Sequence, residues 1–66
     1  MKKIVIENLK SAVVAYNSPL AVVINNMDVI TLLRNAHPSV RVDFAYQCLE
    51  NGLITREELY EFIKRK

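Results

Sequence analysis

Two prolines and one glycine do most to decide what this chain can become: they are the only residues of their kinds in 66 positions, and each falls between stretches of helical period. Pro19 disfavours the α conformation at Ser18 and suits the first turn of a helix, where its missing N–H is not needed. Pro38 punctuates "NAHPS" in the same way, and Gly52 sits where a helix commonly ends on a left-handed residue. These breaks predict an all-α fold, a small bundle of four short helices at about 3–16, 19–34, 40–50 and 56–65, in a single domain over residues 1–66.

In the first segment Val5, Ile6, Leu9, Ala12, Val13 and Tyr16 recur at three- and four-residue steps, with Lys3, Glu7, Lys10 and Ser11 opposite. The β-rich start "KKIVIE" leaves a short N-terminal strand as the alternative there. Ser18 is placed to cap the second helix, whose apolar arc gathers Leu20, Val22, Val23, Met27, Val29, Ile30 and Leu33. The opposite arc holds Asn25, Asp28, Thr31 and Asn35 mixed with Ala21, Ile24 and Leu32. Ser39 is the expected cap of the third helix, which presents Val42, Ala45, Tyr46 and Leu49, extended by Phe44 and Cys48. Before the fourth, Thr55 and Glu58 have the spacing of a capping box, and Ile54 and Leu59 that of a hydrophobic staple.

Apolar residues make up 52% of the chain, and the excess is aliphatic, with no Trp. A domain this small buries only about 60% of its unfolded surface, so it struggles to hide so much by itself. Association with a second copy or with another protein is the expected remedy. The lone Cys48 excludes an intrachain disulfide framework and fits a reducing compartment, the cytoplasm by default. "MKKIVIENLK" begins like a signal peptide, but Glu7, Asn8 and Lys10 interrupt it before an apolar core forms. No apolar run approaches the roughly 18 residues of a membrane span.

Chemistry finds few candidates. Gly52, Ile54 and Glu58 have the spacing of the second half of a calcium-binding EF-hand loop, yet Gln47 and Leu49 then occupy positions that need hard oxygen ligands. A glycine and a capping box explain the same letters without an ion. Read as a helix-turn-helix, Phe44–Arg65 puts Glu57 where an aliphatic residue belongs, and its second helix carries Glu57, Glu58 and Glu61 outward, against phosphate contact. His37 and Cys48 are the only potential nucleophile and base pair, one in a connector and the other on an apolar face, and together they cannot make a four-ligand zinc site.

The chain is therefore expected to be a non-enzymatic protein-binding or regulatory module without metal or cofactor, acting as a homodimer. The seam is expected on the second helix, at Val22, Val23, Asn26, Val29, Ile30 and Leu33. Asn26 is the odd member, an amide within an apolar arc that a symmetry mate could satisfy, as buried asparagines do in coiled coils. The alternative is a small nucleic-acid-binding regulator of helix-turn-helix type. It would use Lys2, Lys3, Lys10, Arg34, Arg41, Lys64, Arg65 and Lys66, although the net charge is only +2.

Overall fold

The structure, a computed structural model, describes residues 2–63. Among these residues the protein is all-α, with four α-helices and no strand: α1 Lys2–Tyr16, α2 Val29–Asn35, α3 Pro38–Glu50 and α4 Arg56–Ile63. Lys3–Ile6 lie inside α1, so the strand alternative does not form. The Cα extents are 29 × 29 × 17 Å, a flat molecule about two helix layers thick.

α1 buries a stripe of Val5, Leu9 and Val13, spaced by four residues, which turns one narrow face to the core. Its last turn closes where the Asn17 amide donates to the Val13 carbonyl at 2.8 Å.

The expected single helix over 19–34 is instead three pieces. Ser18–Val22 and Ile24–Asn26 form 3-10 turns, Met27 and Asp28 are extended, and α2 begins afresh at Val29. Two physical reasons account for the break. A continuous helix would leave Ile24 and Leu32 on the outward arc, whereas breaking the chain turns both inward, to 8% and 1% exposure. Asp28 also prefers to cap rather than sit mid-helix, and its Oδ1 accepts from the Thr31 amide at 2.8 Å. Ser18 is the first residue of its 3-10 turn, and Asn17 precedes that turn without a side-chain cap.

α3 starts at Pro38, two residues before the expected Val40, because the His37 side chain supplies the cap: Nδ1 accepts from the Ser39 amide at 3.0 Å. Ser39 thus contributes a backbone donor and not the expected capping hydroxyl. The Tyr16 ring meets His37 edge-on, with centroids 4.7 Å apart, and ties the end of α1 to the start of α3. The α2–α3 corner is held by Arg41, whose Nη2 donates to the carbonyls of Arg34 at 3.2 Å and Ala36 at 2.8 Å. These are end-of-helix carbonyls that would otherwise lack partners.

Between α3 and α4 the chain does what its sequence announces. Gly52 has φ +72°, its amide donates to the Leu49 carbonyl at 3.0 Å, and the Leu53 amide to the Cys48 carbonyl at 2.8 Å, together a Schellman motif. The capping box then opens α4: Thr55 N donates to Glu58 Oε1 at 2.8 Å, and Glu58 N to Thr55 Oγ1 at 3.2 Å. Ile54 and Leu59 are both buried in the shared core with Leu9, Leu32, Leu33, Ala36, Ala45 and Cys48.

Candidate interaction surface

Side chains with chemistry are kept apart or already engaged. His37 and Cys48 lie at opposite ends of α3, about 16 Å of helical rise from one another. The imidazole is a helix cap, and the thiol is enclosed, with burial pushing its pKa up, away from the reactive thiolate. Among the described residues no three His, Cys, Asp or Glu side chains converge as a metal would need. At the position the calcium reading assigns to its first ligand, Gln47 uses its backbone carbonyl to accept from both the backbone and side-chain amides of Asn51.

Among the described residues, three of the basic side chains expected to meet nucleic acid are already engaged. Arg34 and Glu61 form a two-pronged ion pair, Nε to Oε2 at 2.6 Å and Nη2 to Oε1 at 3.0 Å. The guanidinium holds the Glu61 carboxyl below the usual carboxylate range, and the pair raises Arg34 in turn. Arg41 donates to the carbonyls of Arg34 and Ala36, and its Nε is buried without a hydrogen-bond partner among the described residues. Lys10 donates to Asn25 Oδ1 at 3.2 Å, while Lys2 and Lys3 are exposed in the first turn of α1. Lys64, Arg65 and Lys66 lie outside the described residues. Glu57, where a helix-turn-helix would bury an aliphatic side chain, is exposed.

The six residues expected to share a seam differ in burial. Leu33 is wholly inside the molecule's own core, Val29 and Ile30 are half-buried on α2, and Val22, Val23 and Asn26 stand exposed on the 3-10 segment. That exposure removes the buried-amide puzzle of Asn26, because breaking the helix delivers it to solvent.

What the fold does present is an apolar corner where α1 ends and the 3-10 turns begin. Val22 is 87% exposed, Tyr16 56% and Val23 43%, with Pro19 and Ala21 exposed between them. The corner is held by short-range bonds, from the Leu20 amide to the Asn17 carbonyl at 3.0 Å and from Val23 to Leu20 at 2.9 Å. Half-buried Leu20 and buried Ile24 anchor it from beneath. Val22 and Val23 are among the residues expected at an interface from the sequence, whereas Tyr16, Pro19 and Ala21 are not. The available signal was the absence of any charged residue from Ser11 to Met27, in a chain where 24% of residues are charged.

No protein-family model, curated protein or solved structure matches the chain.

Proposed function

We propose that the chain is a small protein-binding module with no reaction of its own, acting as a homodimer in a reducing compartment such as the cytoplasm. The observation that carries this reading is Val22: a large aliphatic side chain left 87% exposed on a hydrogen-bonded, proline-started turn, beside exposed Val23 and Tyr16. Single exposed apolar residues are ordinary on a surface, but several along one ordered, uncharged stretch of chain favour a contact site. Among the described residues no helix is long and apolar enough to cross a membrane. A lone enclosed thiol suits reducing conditions.

Nucleic-acid regulation is the weaker reading, because Arg34 is neutralised by Glu61 and Arg41 is committed to backbone carbonyls. Sedimentation equilibrium at micromolar concentration is expected to return twice the chain mass. A monomer throughout that range overturns the homodimer. Binding to duplex DNA is expected to be weak, indifferent to sequence and steeply lost with salt; tight sequence-selective binding at physiological salt would favour the regulator instead.

A further inference from the structure

We infer that His37 is an acid-sensitive latch: its neutral ring closes the start of α3, and protonation of that ring opens the first turn. The device lies in which atom makes the cap. Nδ1 accepts from the Ser39 amide at 3.0 Å, which needs a bare Nδ1 and places the ring's one hydrogen on Nε2. An imidazolium donates from both nitrogens and accepts at neither, so the bond cannot outlast protonation. The residues usual at this position, Ser, Thr, Asp and Asn, accept through oxygen and keep that ability in mild acid. Histidine is the side chain whose charge changes between about pH 5 and 8. The residue is exposed, so a proton reaches the ring without any opening of the fold.

The Ser39 amide depends on this ring. Pro38 has no N–H, and the amides of Val40 and Arg41 both donate to the His37 carbonyl at 3.0 Å, which leaves Ser39 as the first-turn donor bonded to a side chain. Protonation also sets a positive charge at the amino end of a 13-residue helix, where the macrodipole is itself positive. Neighbouring groups do not offset this. From α1, Tyr16 brings an uncharged ring edge-on, with centroids 4.7 Å apart. Arg41, one turn along α3, and Arg34, at the end of α2, are both positive, and the Glu61 carboxylate from α4 is held by Arg34. Among the described residues no carboxylate is paired with the imidazole. Because the ring that caps α3 is the one Tyr16 touches, the opening is felt where α1 ends. An unfolded chain takes the proton without losing a bond, so the cap's stabilisation is complete on the alkaline side of the imidazole range and disappears as pH falls through it.

The test compares urea denaturation of the full chain and of His37→Asn, whose side-chain oxygen caps throughout, between about pH 8 and pH 5.5. The window lies above the ordinary carboxylate range, so Asp28 and Glu61, both lowered, stay ionised, and His37 is the only histidine in the sequence. The α-amino group is common to both chains and cancels. The parent's folding equilibrium constant is expected to fall roughly fivefold across the window, the size of one cap, while that of His37→Asn stays level. Nitrogen NMR of the parent ring at pH 8 is expected to find the hydrogen on Nε2. That measurement needs no variant, so it decides even where His37→Asn fails to fold. A parent as level as the variant, a variant that falls as steeply as the parent, or a ring with its hydrogen on Nδ1 at pH 8 overturns the latch.

Discussion

Gly52 is the residue whose conformation is least replaceable. At φ +72° a side chain is strained by its own backbone, although no atom lies within 4 Å of where a methyl would stand. Gly52→Ala is therefore expected to cost roughly 1–2 kcal/mol through the backbone alone, and Thr55→Ala about 0.5–2 kcal/mol through the lost cap. Urea denaturation measures both, and calcium is expected to leave the parent midpoint where it is. Acid acts through two other residues. The Arg34 guanidinium lowers the Glu61 carboxyl, and the Thr31 amide, through a backbone hydrogen bond, lowers that of Asp28. For carboxyls depressed by folding, the stabilisation is complete above the ordinary carboxylate range and disappears as pH falls through the lowered folded-state values. Urea midpoints taken between about pH 7 and pH 3 are expected to decline over that window, and Glu61→Gln to start lower and decline less. Equal slopes for parent and variant would remove the ion pair from the account.

At the scale of elements, Ile24 and Leu32 decide between a broken and a continuous second helix. In the structure both are core residues, so Ile24→Ala and Leu32→Ala are each expected to cost roughly 2–5 kcal/mol, against less than about 0.5 kcal/mol for Val22→Ala. A continuous helix over 19–34 would make the first two mild, and chemical denaturation of the three variants separates the cases. The contrast with the α3–α4 joint shows what a sequence can disclose. There Gly52, Thr55 and Glu58 act on neighbours a few positions away, so spacing alone predicts the left-handed glycine and the capping box. The break at Met27–Asp28 answers a tertiary demand, two aliphatic side chains needing one core, which a helical wheel drawn on an unbroken helix cannot register. Leu33 and Asn26 share an arc only if the helix runs through; with the break Leu33 lies in the core and Asn26 is exposed. His37 is a related case: an imidazole is an uncommon cap, and Pro38, where α3 begins, leaves Ser39 one residue inside the helix.

For the whole molecule, the consequence lies in where the chain can come apart. α1 ends on its own bond from Asn17 to Val13, and α2 begins on its own Asp28 cap, so the 3-10 corner is enclosed by two self-sufficient helix ends. Its backbone bonds reach only three residues back, its one side-chain bond is to Lys10 on α1, and Ile24, at 8% exposure, is its one buried side chain. The corner is expected to open as a separate unit, losing its hydrogen bonds while α1, α3 and α4 keep theirs. Amide hydrogen exchange is expected to show this: the Val23 and Asn26 amides exchanging early and insensitively to low urea, and the core amides only when the chain unfolds globally. Uniform protection of all these amides would contradict it. Since the same corner carries the proposed protein contact, its protection is expected to rise when a partner protein binds. Exchange at a handful of amides would then serve as an internal gauge of how much of the protein is bound.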